Sequence, residues 1–449
     1  MKKKIILPCI LSLGMLASCG APAQEAETHT EKETVTKNSW EAEQPVFVSA
    51  EKDPQEYIFS EDYSNDMEER YKKLEQSAVY KEQIRSFALK TLSLLHQETE
   101  ESTVVSPLNL YLALSMLGEC ANGESRELLF NLLDTDSIEE LRTISDLYWK
   151  AHQQLTPTVT EMVNNSLWLS DLYNFKSTLP EIMNSDYHAS VYRGEMGSQK
   201  FNDQFHDWLN EKTNNLLKEQ ADAQQLSPET SAALVSALYL KAAWAEKFST
   251  DLTDQGTFTT PKGGIETEMM HSRLYGDVFK TDSWSAHGLP LSDLGTLWLY
   301  LPEEGTSLQD ILSDPKAYEL AQSEETDLDR LRGEVILSVP KLDLKSGRSI
   351  ADDLKSLGLG SLFTASADFS NLSEETGMCV SDIYHAAGLK TDEEGLEAAA
   401  FTVISMKTTG IITEMDEIEF TCDRPFVFIL TGDDGSVLMS GTVYQPIQK

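Results

Sequence analysis

Basic residues are scarce in this chain. Lysine and arginine together number 36 against 74 aspartates and glutamates, and the formal net charge is −38 over 449 residues. A surface this acidic repels polyanions, so nucleic acid, anionic membrane surfaces and heparin-like polymers are disfavoured as partners. The one basic cluster is Lys2–Lys4, at the amino terminus.

Cysteine and histidine are also scarce, and common catalytic motifs are missing. The five cysteines, Cys9, Cys19, Cys120, Cys379 and Cys422, lie at scattered spacings that indicate neither a disulfide framework nor a metal site. The eight histidines include no pair at metal-ligand spacing, and no nucleophile-elbow, zinc-protease or phosphate-loop motif occurs. We therefore expect a protein that is not an enzyme and that binds no cofactor or metal.

The amino terminus has the pattern of an export signal. Lys2–Lys4 precede an apolar run, residues 5–17, that is too short to cross a bilayer. Leu16–Cys19 resemble the bacterial lipobox, in which the cysteine is lipidated and the chain is cut before it. This predicts that residues 1–18 are a signal peptide. Cys19 then anchors the protein at the bacterial cell surface or outer membrane, facing the extracellular space. Plain secretion with an incidental cysteine is the alternative.

A polar stretch follows this signal. Residues 19–66 are rich in Glu, Thr, Ala and Gln and show no sustained apolar period. Such a composition predicts an extended acidic tether, either a stalk that holds the rest away from the cell surface or a passive linker. One large domain, residues 67–449, is expected after it, since the chain is 40% apolar and can bury a sizeable core.

An alternating segment near the carboxyl terminus, residues 393–409, is the most informative feature. Both charges from Leu396 onward, Glu397 and Lys407, fall on one face. The other face is uncharged and holds Leu396, Ala398, Ala400, Thr402, Ile404 and Met406. This is the pattern of a half-buried strand, but Gly395 and three alanines offer little cross-strand contact. The segment is predicted to exist outside a sheet and later enter one; an ordinary strand or an Ala-rich helical turn is the alternative.

Further stretches between about Ile84 and Pro446 form an ordered series. They are V-V-S-P-L-N (104–109), A-L-S-M-L-G-E-C-A-N-G-E-S (113–125), L-V-S-A-L-Y-L-K-A-A-W (234–244), V-I-L-S-V-P-K-L (335–342), L-G-L-G-S-L-F-T-A-S-A-D-F-S (357–370) and D-R-P-F-V-F-I-L (423–430). In this order they resemble the serpin family of serine protease inhibitors. The resemblance implies an α+β serpin fold with three β-sheets, about nine helices and an exposed reactive-centre loop at about 393–420. It also implies a metastable monomer.

The resemblance assigns four residues to the shutter, a polar cluster beneath the centre of the main sheet: Ser106, Asn109, Ser236 and His385. The family usually has Ser where this chain has Asn109, and Asn where it has Ser236. Because buried polar groups need partners, the reciprocal exchange predicts a retained network in which Asn109, Ser236 and His385 contact one another.

The same resemblance assigns three residues to the breach, the top of the main sheet where the loop first enters. Trp244 matches the family's indole there, and core packing alone is its alternative role. Glu393 and Lys341 match a salt-bridged pair, worth about 1 kcal/mol or less if partly exposed.

The hinge of the loop is expected to insert first. Its residues are Glu393, Glu394, Gly395, Leu396, Glu397, Ala398, Ala399, Ala400, Phe401 and Thr402. Leu396 stands where inhibitory members have Thr or Ser; its burial is favourable if space exists, since only a charge would block this step. In inhibitory members the hinge usually runs for seventeen residues up to the cut; with Glu393 as the first, the resemblance implies a cut at Thr409–Gly410. Because the segment up to Arg424 is longer than usual, Lys407–Thr408 and Met406–Lys407 are alternatives.

The resemblance implies a suicide substrate that traps a serine protease in a covalent complex. A small β-branched residue at the cut, Thr409, suits an elastase-like or subtilisin-like enzyme, whereas Lys407 would attract a trypsin-like one. A non-inhibitory serpin that acts as a binding module is the main alternative, and inhibition of cysteine proteases is another.

Overall fold

A computed structural model describes residues 9–18, 39–43, 45, 47, 52–96, 100–322, 327–396 and 416–447. Two hydrogen-bonded networks of strands form its framework, and helices cover them.

The main sheet has long central strands that are nearly continuously buried, as expected when both faces are covered. Across the sheet the order is β13 (Asp343–Ser349), β14 (Met378–Lys390), β1 (Cys9–Ser18), β7 (Thr230–Ala243), β5 (Val159–Ser170), β6 (Ala189–Gly194) and β2 (Ser39–Trp40), with β15 (Gly395–Leu396) on β7 and β4 (Gln153–Leu155) on β5.

The second network contains two sheets that share one long strand. Its order is β16 (Glu417–Thr421), β12 (Asp329–Pro340), β9 (Gly263–Lys280), β10 (Trp284–Leu291), β11 (Gly295–Pro302), β17 (Phe426–Gly432), β18 (Val437–Val443) and β3 (Thr103–Val105), with β8 (Asp254–Thr260) on β9. β10 pairs with β9 only at Ser285–His287, so the network divides there. The predicted α+β fold with three sheets is confirmed.

The helices are α1 (Pro54–Ile58), α2 (Glu61–Ser77), α3 (Lys81–Leu95), α4 (Pro107–Cys120), α5 (Gly123–Leu133), α6 (Ile138–Ala151), α7 (Leu179–Asp186), α8 (Gln199–Lys212), α9 (Lys218–Asp222), α10 (Leu308–Ser313), α11 (Pro315–Gln322) and α12 (Ala351–Leu354). Every residue of α4 is buried, as expected for a helix that is apolar around most of its circumference. In the described ranges, no helix is long and apolar enough to cross a membrane.

Parts of the segment expected to be a flexible tether lie against the domain. Trp40 pairs with Val191 at the edge of the main sheet, and the Ala42 N–H donates to Ser190 Oγ at 3.2 Å. Tyr57, on α1, is fully buried. The tether expectation therefore does not hold for these residues, because their aromatic side chains find apolar surface to cover.

β1 belongs to the predicted signal peptide and lies at the centre of the main sheet. It runs antiparallel to both β7 and β14, and Ser12 stands opposite Ser236 on one side and His385 on the other. The uncleaved chain therefore has a strand between β7 and β14.

Three of the cysteines have described side chains. Cys120 and Cys422 are buried free thiols, and burial raises the pKa of both above the usual range. Cys379 is also buried but is disulfide-bonded, which the scattered spacing did not predict.

A buried charge cluster joins α2, β5 and the turn after β17. His152 Nδ1 lies 2.7 Å from Glu161 Oε1, and its Nε2 lies 3.4 Å from Asp434 Oδ2. Arg70, on α2, pairs with Asp433 and lies 3.8 Å from Glu161. Burial alone would lower the pKa of His152, but the two carboxylates outweigh it and raise that pKa to about 10. The imidazole is therefore a cation at neutral pH.

Candidate functional site

The root of the loop is a tight turn that ends on the main sheet. The Asp392 N–H donates to Gly395 O at 3.1 Å, and the Glu394 N–H donates to Asp392 Oδ1 at 2.9 Å. The chain then pairs with β7, with Gly395 opposite Ala243 and Leu396 opposite Ala242. The hinge therefore already occupies the first two positions of a strand beside β7.

Glycine is required at this first position. A Cβ on Gly395 would lie 2.3 Å from Ala242 O and 2.7 Å from the Ala243 Cα, distances that no side chain tolerates. The contacting atoms are backbone, so they cannot rotate away.

Leu396 is fully buried and belongs to the main hydrophobic core. There is space for its isobutyl group at the top of the sheet, so burying it adds favourable apolar contact. The condition set for Leu396, that space exists for it, is therefore met at this position.

Glu393 is held by several partners in the breach. Lys341 Nζ lies 3.0 Å from Glu393 Oε1, and Thr253 Oγ1 donates to the same oxygen at 2.8 Å. Burial opposes ionisation of Glu393, but the hydrogen bonds from Thr253 and Lys341 and the charge of Lys341 outweigh it and hold the pKa of that carboxyl below its usual range. Lys341 also lies 3.1 Å from Glu268, so it is shared between two carboxylates.

Trp244 contacts the loop root as well as the core. Its Nε1–H donates to Asp392 O at 2.8 Å and its backbone N–H donates to Glu394 O at 3.1 Å. The Phe248 N–H donates to Glu393 O at 3.0 Å. The indole thus anchors the turn, which is more than the packing role that the sequence left as an alternative.

Sequence reasoning missed three contributors to this breach. Lys247 pairs with Glu394, and Thr253 donates to Glu393. The third is Asp392, whose carboxylate accepts a hydrogen bond from the Glu394 N–H in the turn. Lys247 and Thr253 follow Trp244 closely, and a search for polar residues in that stretch would have found them.

The shutter residues meet beneath the centre of the main sheet. Asn109 Nδ2 donates to Ser236 O at 2.9 Å, and Ser236 Oγ donates to Asn109 Oδ1. Ser106 caps α4, with Pro107 at the first helical position, and its Oγ accepts from the Asn109 N–H at 3.2 Å. The Ser236 hydroxyl therefore satisfies the Asn109 amide oxygen, and the Ser236 backbone carbonyl satisfies the Asn109 amide N–H.

His385 is joined to this pair through Ser106. Its Nε2 accepts a hydrogen bond from the Ser106 N–H at 3.1 Å. Burial, aided by the charge of Arg348, lowers the pKa of His385 to about 3, so the ring is neutral at physiological pH. A neutral ring can accept from the backbone where an imidazolium could not.

The remaining predicted site residues lie outside the described ranges. These are Glu397 to Thr402 of the hinge, the candidate cut residues Met406, Lys407, Thr408, Thr409 and Gly410, and the lipidation candidate Cys19. In the described part of the chain, no group of three or more His, Cys, Asp or Glu residues could hold a metal ion.

The molecule is thus an α+β protein whose main sheet has a buried polar cluster beneath its centre and an anchored turn at its top. The chain belongs to the serpin family, because residues 82–446 match the family model described as serpin (serine protease inhibitor).

Curated relatives are similar over most of the chain. Serpin-ZX of Arabidopsis thaliana is 26% identical over 365 residues, which cover 77% of this chain and 92% of that protein. Antichymotrypsin-2 of Bombyx mori is 28% identical, with 77% and 92% covered. The thermophilic serpin tengpin in its native state superposes with a TM-score of 0.69 at 22% identity, covering 81% of this chain and 94% of tengpin. Human thyroxine-binding globulin gives 0.70 at 19% identity, with 83% and 100% covered. At these identities, the structural likenesses show the fold alone.

Proposed function

We propose that this protein is a suicide-substrate inhibitor of serine proteases. The protease serine bonds to the carbonyl carbon of Thr409, the Thr409–Gly410 bond breaks, and the Gly410 amine takes up the proton. Before water can release the acyl group, the hinge inserts between β7 and β14 and carries the protease with it. This chain supplies the bait and the sheet; the protease supplies the chemistry.

The register of β15 on β7 carries this proposal. Extended one residue at a time beyond Leu396, it sets Thr402 opposite Ser236 and Thr408 opposite Thr230, where β7 begins. Insertion along the whole of β7 would thus end one residue before Thr409. The strip is long enough for a strand, since β1 pairs with β7 from Cys9 opposite Tyr239 to Ala17 opposite Thr230. Loss of the predicted signal peptide would free that strip for the loop.

The two faces of the inserted strand would match their surroundings. Residues 398 and 400 would stand opposite Leu240 and Leu238, which face the main hydrophobic core. Residue 397 would stand opposite Lys241, on the other face. The uncharged side of the loop would therefore be buried, and Glu397 would lie on the other face, beside Lys241.

The energy available is sufficient. Insertion would form on the order of ten to fifteen backbone hydrogen bonds, each contributing about 0.5–1.5 kcal/mol net. Distorting the protease so that deacylation slows costs only about 1.4 kcal/mol per tenfold. A gain on the order of 10 kcal/mol is therefore ample.

Covalent capture tests this function. The purified protein is mixed with an elastase, a subtilisin and trypsin, and each mixture is run on a denaturing gel. An SDS-resistant band with the elastase or the subtilisin is expected, and mass spectrometry of the released peptide should find Gly410 at its amino terminus. Capture of trypsin, with a peptide that begins at Thr408, would move the cut to Lys407. Clipped fragments without a covalent band would favour a non-inhibitory binding module.

Adjacent alanines provide a matched pair of variants. Ala400→Glu would place a charge on the face that becomes buried, whereas Ala399→Glu would place the same charge on the opposite face. We expect the first variant to be cut as a substrate and the second to keep capturing protease, because an unpaired charge cannot be buried cheaply. Equal capture by both would contradict insertion in this register.

We also propose that the protein acts outside the cell, held by lipid on Cys19. Radiolabelled palmitate should label the wild type and not a Cys19→Ala variant, and the variant should leave the membrane fraction. Unlabelled wild type would favour plain secretion.

A further inference from the structure

A cavity of about 550 Å³ opens beside the breach, between β9, β10, β11 and the first residues of β12. Its apolar wall includes Phe279, Leu289 and Trp298, and Trp244 and Phe248 close the side toward the loop root. Cavities of this size with aromatic walls and few polar groups are typical of small-molecule sites.

Two glycines keep this space open. A Cβ on Gly288 would come within 3.1 Å of the Trp298 ring, and one on Gly276 within 3.2 Å of the His287 ring. Both strands therefore present bare backbone where a side chain would fill the cavity, and a flat ring system can lie there against the indole.

One lining residue, His287, has a buried ring nitrogen with an unmet hydrogen bond. His287 is 2% exposed, and its Nδ1–H donates to Asp277 O at 2.9 Å. Burial lowers the pKa of His287, so the ring is neutral and Nε2 carries a lone pair. Among the described residues Nε2 has no partner. A buried acceptor in this position favours a ligand that brings an O–H or N–H donor.

The rim adds polar contacts without a dominant charge. Arg332 makes two 2.7 Å bonds to the Asp277 carboxylate, and Arg330 lies 3.8 Å from the same group. Glu246 also lies at the rim and is exposed. The two arginines and the two carboxylates roughly balance in charge, so the site favours an uncharged ligand. The guanidinium groups can cover the outer face of an aromatic ring.

We propose that this cavity binds a planar aromatic molecule that donates one hydrogen bond to His287, and that its occupancy is coupled to the hinge. The coupling follows because the ligand would pack on Trp244 and Phe248, whose backbone N–H groups hold Glu394 O and Glu393 O. The coupling rests on the proposed inhibitory function, whereas the binding does not.

Fluorescence titration of the full-length protein with 1-hydroxypyrene tests the binding. One saturable site is expected, with at least fivefold weaker binding of 1-methoxypyrene, which lacks the donor. Gly288→Leu, which fills the cavity, should weaken binding at least tenfold, and Gly360→Leu, where the added side chain meets nothing within 4 Å of its Cβ, should not. His287→Phe should abolish the preference for the hydroxyl compound.

Thermal unfolding of each variant checks that it is folded. If Gly288→Leu does not fold, His287→Phe still decides the test. Absence of binding by the wild type, or an unchanged hydroxyl preference in folded His287→Phe, would overturn the proposed site. Coupling predicts that saturating 1-hydroxypyrene changes the rate of covalent capture of protease at least twofold in the wild type and not in Gly288→Leu. Binding by a protein that captures no protease would refute the inhibitory function and leave the site standing.

Discussion

Two hydrogen bonds join Asn109 and Ser236 beneath the centre of the main sheet. The Asn109 amide donates to Ser236 O at 2.9 Å, and the Ser236 hydroxyl donates back to Asn109 Oδ1. The pair ties α4, behind the sheet, to β7, beside the strip where the loop would insert. Whatever weakens this pair should make it easier for the strands to separate.

Ser236→Ala should therefore lower the stability of the native form by about 1–3 kcal/mol, because it leaves a buried amide oxygen without its donor. The exchanged double variant, Asn109→Ser with Ser236→Asn, should lose less than the two single changes together, since it rebuilds one amide and one hydroxyl. Urea unfolding midpoints measure both. Ser115→Ala is the control, because the buried Ser115 hydroxyl lies on the same helix and donates to Tyr111 O within that helix. It should cost less than Ser236→Ala. Strictly additive losses would show that the two side chains are not coupled.

The ion pair in the breach should tune insertion without deciding it. Lys341→Met removes the cation from Glu393 and leaves Thr253 as a donor to that carboxylate. The pair is partly exposed, so we expect about 1 kcal/mol of lost restraint, equivalent to roughly a fivefold faster insertion. Stopped-flow fluorescence of a probe on the loop would measure this rate. The control is Arg273→Met, which breaks the exposed ion pairs from Arg273, on β9, to Glu334 and Glu417. It should leave the insertion rate unchanged.

The parts of this site that the sequence predicted are those in continuous motifs. Trp244 ends the stretch 234–244 that resembles the family, and Lys341 lies within the stretch 335–342. The fold was predicted from the order of such stretches. The His152 cluster could not be found this way, because its residues lie far apart in sequence and meet only after the sheets have formed. The acidic composition of residues 52–66 predicted a tether, yet their few aromatic residues decide the outcome. The hydroxyl of Tyr63 reaches Asp293 at 2.8 Å, a contact between positions 230 residues apart.

Gly395→Ala should disrupt the loop root. The added methyl group would collide with Ala242 O and the Ala243 Cα, so β15 must leave β7. We expect a lower thermal midpoint and more protease cleaving the loop without being trapped, because the hinge no longer starts in register. The number of inhibitor molecules consumed per protease captured measures this partition. Gly360→Ala, where nothing lies within 4 Å of an added Cβ, should behave as wild type. An unchanged stoichiometry for Gly395→Ala would show that β15 is not needed for insertion.

Acid should destabilise the protein through two buried histidines. Burial lowers the pKa of His96 and of His385 to about 3. In the unfolded chain each titrates near 6.5, so below that pH the unfolded state binds more protons and folded stability is lost as pH falls from about 6.5 toward 3. At pH 5 each histidine should remove about 2 kcal/mol. Unfolding free energies at pH 7.5 and 5.0 test this, and the difference between them should shrink in His385→Gln. A difference that stays the same would show that His385 is protonated in the folded protein.

His152 should act in the opposite direction and in a different pH range. Its pKa in the folded protein is about 10, above the value near 6.5 of an unfolded histidine. The stabilisation it provides is therefore complete below about pH 6.5 and is lost as pH rises from there through 10, because the imidazolium between Glu161 and Asp434 must give up its proton. His152→Gln should cost about 3–5 kcal/mol at pH 6.5, since it removes the cation beside the buried Asp434 and leaves Glu161 with Arg70, 3.8 Å away, as its counter-charge. Its stability should then change less than that of the wild type between pH 6.5 and 9.5. Parallel curves for the two proteins over that range would mean that His152 is neutral in the folded state.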